Sequence, residues 1–351
     1  LKAINRSRGT LFFLISILLF PVQLPAAQKL TGLTGTLRGL HAVDKKVIWV
    51  SGTKGEFALT TNGGKTWTTS AVPGAEKLDF RDVQGFSATE ALLMSIGPGK
   101  SSRIYQTSDG GKTWKLNFEN QDSLAFFDGM DFYDRNHGLL ISDPVDSRPY
   151  LLETTDGGLT WKRLQPRTIP DLNKGEYAFA ASGTSVDAVR GGECFLATGG
   201  AAARVFRSAD FGTTWKAALL PIVQVDPASG AFSVAKGPGN RVAACGGNYQ
   251  RMTQRGANIA LSDDGGKTWI VPDGSRHVPF MECIRWINKK IIIACGPHGV
   301  WISTDGGNNW KEALKDGFHT FGVSGKNIIL AGNKGDVKIY SLSALIKLAD
   351  N

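Results

Sequence analysis

The 351-residue sequence is poor in the residues that build metal and redox centres. It holds four cysteines, Cys194, Cys245, Cys283 and Cys295, no CxxC pair, and five histidines. No Cys pair and no His pair falls at zinc-ligand spacing, which argues against a zinc finger or ribbon and a dithiol redox motif. Each cysteine sits in a short apolar run (ECFLATGG, VAACGG, MECIRW, IIIACGP), where a free thiol behaves as a small core residue. Cys283 and Cys295, in adjacent strands of one unit, are the only pair that the pattern brings close. No run of Lys and Arg with interleaved aromatics occurs, so a nucleic-acid face is excluded. Beyond the N-terminus there is no apolar run near the roughly 20 residues of a membrane span and no sustained 3.6-residue period, which excludes a helical bundle. No triad, phosphate loop or metal cluster is present, so no catalytic residue, metal ligand or cofactor is assigned.

What the sequence has instead is glycine, 43 of them, and one phrase written six times. It reads TTNGGKTW at 60–67, TSDGGKTW at 107–114, TTDGGLTW at 154–161, SADFGTTW at 208–215, SDDGGKTW at 262–269 and STDGGNNW at 303–310. The Asp or Asn (Asn62, Asp109, Asp156, Asp210, Asp264, Asp305) is suited to bond backbone N–H groups two residues on. The following glycine takes a positive φ without steric cost, so the phrase predicts a tight hairpin. The Trp that closes it (Trp67, Trp114, Trp161, Trp215, Trp269, Trp310) opens the outgoing strand with a large surface to bury between units. These twelve residues are read as structural. Trp-to-Trp steps of 47, 47, 54, 54 and 41 residues lie in the period range of a radial β-repeat.

The phrase resembles the Asp-box, or BNR repeat, of sialidases, some glycoside hydrolases, sortilin-type receptors and the photosystem II stability and assembly factor. The resemblance implies a β-propeller in which each box joins the outer two strands of a blade, away from the ligand face. Seven second strands are legible, VIWVSG (47–52), ALLMS (91–95), GLLIS (138–142), CFLATGG (194–200), VAACGG (242–247), IIIACG (291–296) and IILAG (328–332), and the last unit has no box. The expectation is an all-β, seven-bladed propeller over residues 28–351, a single domain and a monomer. Its seventh blade needs an outer strand, for which residues 30–37 are placed; the tail 341–348 is the other donor and reads equally well as a short helix. A single ring of this kind most resembles the photosystem II assembly factor family and its exported bacterial relatives.

Lys2, Arg6 and Arg8 precede the apolar run 11–20, and a small-residue segment ends at Ala26 and Ala27, the three parts of a secretory signal. Residues 1–27 are therefore expected to be removed on export to the periplasm or the extracellular space, leaving no stable membrane span. Loss of those three basic residues takes the formal charge from +9 to +6.

By the same resemblance, ligands meet the blade face opposite the boxes. The inner-strand starts align as LRGL, FRDV, FDGM and FHTF, which places Arg38, Arg81, Asp128 and His319 around the mouth of the central channel. Neighbouring loops add Asp143, Arg148, Tyr249, Arg251 and His298. Asp82 is read as the ion-pair partner of Arg81, and Asp143, before Pro144, as a turn former. Arg recognises carboxylates and phosphates bidentately, so the expected function is a non-catalytic interaction platform whose Arg-rich mouth anchors an acidic segment of a partner protein. The alternative is a carbohydrate-active propeller: glycoside hydrolysis needs two carboxylates about 5 to 10 Å apart, and Asp82, Asp128 and Asp143 are candidates. Against it, the early RIP-like Arg motif of sialidases is missing, and one propeller cannot build the cleft that two-propeller xyloglucanases form.

Overall fold

Short β-branched and apolar runs punctuated by Gly, Asn and Asp become strands of an antiparallel meander, and the computed structural model, which describes residues 28–351, folds them into seven sheets. The expected signal segment 1–27 lies outside the described residues. The inner strands are Leu37–Ala42, Asp79–Gly85, Phe127–Phe132, Val186–Val189, Ser229–Lys236, Cys283–Trp286 and Thr320–Ser324, for blades 1 to 7. Second strands such as Ile48–Gly52, Val242–Asn248 and Ile292–Gly296 are buried along their whole length, since each blade is covered on both faces. Apolar side chains therefore collect between blades. One cluster joins Trp49 and Phe57 of blade 1 to Phe80, Leu93 and Tyr105 of blade 2, and equivalent clusters fill the other six interfaces.

The boxes occupy the hairpins between third and fourth strands, and their bonding is more extensive than the sequence suggests. In the second copy Thr107 Oγ1 accepts from Gly111 N–H at 2.9 Å and donates to Asp109 Oδ1 at 2.9 Å. Asp109 in turn takes the N–H and hydroxyl of Thr113 at 2.9 and 2.6 Å, so the Asp reaches four residues forward, beyond the expected two. Those bonds, led by the Thr113 hydroxyl, hold the Asp109 carboxyl down to about 2. The second glycine of each box is pressed against the preceding blade. A Cβ on Gly111 would lie 2.5 Å from Phe57 and one on Gly307 2.6 Å from Leu261, so Gly here permits the close blade stacking as well as the positive φ. The first glycine meets no core side chain of the preceding blade as closely, and Phe211 replaces it in the fourth box at φ 57°.

The seventh blade, Thr320–Ser324, Asn327–Ala331 and Asp336–Ser341, is completed from the other end of the chain: Gln28 pairs with Val337 and Lys29 with Asp336. The closing strand thus lies just before the expected residues 30–37. The outer edge and the next inner strand stand about three strand spacings apart, roughly 14 Å, and residues 30–36 are used in that crossing. Leu30 and Leu33 are buried on the way, and Leu30 N–H donates to Gly335 O at 2.9 Å. The tail forms the helix Leu342–Asp350, capped by Ser341 Oγ and packed against the outer strand of blade 6. Blade 5 lacks a full fourth strand, with only a bridge between Leu261 and Ile270.

Around the channel each inner strand is tied to the next. His41 Nδ1 accepts from Gly85 N–H at 2.9 Å, Asp82 from Met130 at 2.8 Å, and Asp131 from Ala188 at 2.7 Å. Asp187 accepts from Lys236 N–H and Ser233 Oγ from Ile284 N–H, Arg285 Nε donates to Phe321 O, and Ser324 Oγ donates to Asp44 O, which closes the ring. Burial, with Asp187 alongside, pushes the Asp131 carboxyl up to about 7, and burial raises Asp82 as well.

Candidate functional site

Backbone bulges build the channel mouth. In blades 1, 2, 3 and 5 the pairing of inner and second strands slips by one residue at Arg38, Arg81, Asp128 and Phe232. In blades 6 and 7 the N–H groups of Glu282 and His319 donate to Cys295 O and Ala331 O at 2.9 Å, although Cys295 and Ala331 already face Cys283 and Thr320. Thr184 holds the matching position in blade 4, two residues before Val186. A bulge re-aims its extra side chain, so the repeated slip directs six of these side chains to one end of the channel, while Thr184, in the blade without a slip, donates to Ser233 Oγ inside the channel. Four of the seven were legible as aligned strand starts. Thr184, Phe232 and Glu282 were missed, and the signal that finds them is the same offset counted back from the second strands.

Glu282 organises the ring. Its buried carboxylate accepts from Arg38 Nη1 at 3.4 Å and contacts His319 Nδ1 at 2.5 Å, while His319 Nε2 faces Asn333 Oδ1 at 3.1 Å. Burial lowers the Arg38 pKa against the opposing pull of Glu282. Arg81 pairs with Asp79 at 2.9 Å, not with Asp82 as expected. The bulge explains this: it turns Arg81 to the mouth, whereas Asp82 points into the channel, where its two oxygens take the N–H groups of Val83 and Met130.

The connection between blades 3 and 4 folds back over the mouth. Arg38 Nη1 donates to Ala181 O at 3.0 Å, and Arg81 Nη1 donates to Ala180 O. Phe179 stacks on Phe232 with centroids 3.8 Å apart, and Phe280 meets Phe232 edge-on. A depression of about 360 Å³ remains open beside this plug, lined by Arg38, Arg81, Ile96, Phe126, Tyr249 and Met252, with Asp128 and Asp143 in its wall. Tyr249 is 40% exposed there.

Asp143 is not a turn residue, as expected from Pro144, but part of the strand Gly138–Val145, with its N–H donating to Phe126 O. One oxygen of Asp143 and one of Asp128 are buried with no hydrogen-bond partner. Burial, then the Asp143 charge, raises Asp128 well above the carboxylate range, and burial brings Asp143 up to about 7. The two acids are in a state to hold a proton near neutrality. Among the described residues no group of three or more His, Cys, Asp or Glu is arranged to hold a metal ion.

The remaining expected site residues lie elsewhere. Arg251 pairs with Asp226 at 3.0 Å, His298 is exposed in the turn before Gly299, and neither lines the depression. Arg148 belongs to a separate cleft on the outer rim, with Arg163 and Arg167.

No family profile matches the sequence, and no curated protein matches it significantly. Solved structures do share the architecture. YCF48 bound to a D1 peptide superposes with a TM-score of 0.66 at 16% identity, covering 92% of this chain and 96% of that one. YCF48 from Cyanidioschyzon merolae gives 0.64 at 16% identity, covering 91% and 100%. An ancestral GH74 enzyme gives 0.62 at 12% identity over 88% of this chain and 45% of its own. The likeness is one of fold, and it spans the whole ring.

Proposed function

We propose that this chain is a non-catalytic propeller that docks a polypeptide partner at the channel mouth, in the manner of an assembly factor, outside the cytoplasm after loss of residues 1–27. The plug is the observation that carries the reading. The mouth already holds a stretch of polypeptide, with Arg38 and Arg81 donating to the consecutive carbonyls of Ala181 and Ala180. Beside it the shelf of Ile96, Phe126, Tyr249 and Met252 stays open, flanked by the two guanidinium groups. An aromatic and apolar floor with a guanidinium edge suits an extended segment that carries a carboxylate. The peptide named with the YCF48 structure supports the same use of this ring. To test it, envelope extract from the native host is passed over immobilised wild type and an Arg81→Ala, Tyr249→Ala variant of unchanged melting temperature. A polypeptide held by wild type should be retained roughly ten-fold less by the variant. Equal retention overturns the mouth as the docking site.

A second reading rests on Asp128 and Asp143, whose unpartnered buried oxygens and raised pKa values fit the acid that glycoside hydrolysis requires. Turnover of a β-glucan and xyloglucan panel that disappears in Asp128→Asn would put this reading in place of the first.

A further inference from the structure

We infer that a second site, on the outer rim between blades 3 and 4, binds an oxyanion ester, a phosphate or sulfate carried by a small organic ligand. The cleft there is larger than the mouth, about 560 Å³, within the size range of small-ligand pockets. Arg148, Arg163 and Arg167 all line it, and no described carboxylate forms an ion pair with any of them. Asp171 is the one acid in its wall, and its backbone carbonyl accepts from Arg204.

The cations come from blade 3 and from the segment that crosses to blade 4, and are held by different means. Arg163 sits over the Tyr150 ring, its Cζ 3.6 Å from the centroid, with Nη2 donating to Pro149 O at 3.3 Å, and these two contacts hold its guanidinium in place. Arg148 stands exposed at the start of the third strand of blade 3. Arg167 sits on the crossing segment, which is fastened to blade 4 because Arg167 N–H donates to Thr213 O at 2.8 Å and Trp215 N–H to Thr168 O at 2.9 Å. Pro149, Pro166 and Pro170 stiffen the walls. Three planar forks against a single carboxylate leave an excess of positive charge that fits the three terminal oxygens of a phosphate or sulfate monoester better than one peptide carboxylate. The site is independent of the mouth, since none of its residues lines that depression.

Calorimetric titration at low ionic strength with glucose 6-phosphate, glucose 6-sulfate and glucose tests the inference. At least one ester should bind while glucose does not. Affinity should fall roughly ten-fold or more in Arg148→Gln with Arg167→Gln, fall in part in Arg163→Lys, and stay unchanged in Arg81→Ala. Both Arg148 and Arg167 are exposed, so the double variant should keep its melting temperature; Arg148→Glu alone gives an independent variant with the same expected loss. The pH dependence separates the sources: with a second phosphate pKa of about 6, phosphate binding strengthens between about pH 5.5 and 7.5 whereas sulfate binding stays flat. Failure of both esters to bind, equal binding of glucose, or full binding by the Arg148 and Arg167 variants overturns the site.

Discussion

The two glycines of one box should differ sharply in what a single methyl group does to stability. In the sixth box Gly306 and Gly307 have φ of 82° and 94°, so alanine at either position meets the left-handed penalty of about 1–2 kcal/mol. Around Gly306 the nearest atom to a new Cβ is Arg241 Nη1 at 3.5 Å, an ordinary contact. At Gly307 the same Cβ would lie 2.6 Å from Leu261 Cδ1 and 3.0 Å from Ile292 Cδ1, both in the core between blades 5 and 6. Overpacking of a filled core costs about 1–3 kcal/mol, so Gly307→Ala should lose roughly 2–5 kcal/mol and Gly306→Ala only the first share. Denaturant melts of the two variants beside wild type measure the difference directly, and Phe211 at the matching position of the fourth box shows that the first glycine is replaceable. Equal losses, or a larger loss at Gly306, would refute the view that the second glycine is kept for blade-to-blade contact.

Two further outcomes are expected. A chain begun at Gly35 loses Gln28 and Lys29 from the seventh blade and the buried Leu30 and Leu33, so its melt should fall by an amount corresponding to roughly 3–6 kcal/mol and it should self-associate through the bared edge Asp336–Ser341; an unchanged melt would transfer closure to the C-terminal helix. Asp143 titrates above its unfolded value, so the folded state favours its protonated form and the stabilisation present below about pH 4 drains away as pH rises through about 7; burial shifts Asp128 in the same direction. Asp143→Asn should flatten the fall in stability between about pH 5 and 8 by on the order of 2–4 kcal/mol, and an unchanged pH profile would place those carboxyls in water.

The ring was legible because its signals are local and repeated. Each box carries its turn chemistry in eight consecutive residues, and six copies fix the blade count to within the one blade that lacks it. The position of the closing strand was less legible, since Gln28–Lys29 is only two residues long, and residues 30–37, chosen because they precede the first inner strand, are used for the crossing, where Leu30 and Leu33 are buried. The single bridge at Ile270 was hidden for a related reason: the phrase SDDGGKTW predicts the hairpin but not how far the strand after it continues.

The site was half legible, and the division follows from the bulge. An aligned offset names the residues re-aimed at the mouth, so Arg38, Arg81, Asp128 and His319 came out together. It says nothing of their partners, which arrive from distant segments: Glu282 for Arg38, and the carbonyls of Ala180 and Ala181 for both arginines. Asp82 was paired with Arg81 on adjacency alone, whereas the bulge turns Arg81 to the mouth and the Asp82 carboxylate ties blade 2 to blade 3 instead. Arg148 was grouped with the mouth because it follows a second strand, yet it projects to the rim. That split has a chemical consequence. The mouth arginines are already satisfied by Glu282, Asp79 and backbone carbonyls, so a partner there must gain chiefly from the open shelf around Tyr249, with charge setting its orientation. None of the rim arginines forms an ion pair with a described carboxylate, although Arg163 donates to Pro149 O, and the proposed anion chemistry therefore resides at the outer edge, between blades 3 and 4.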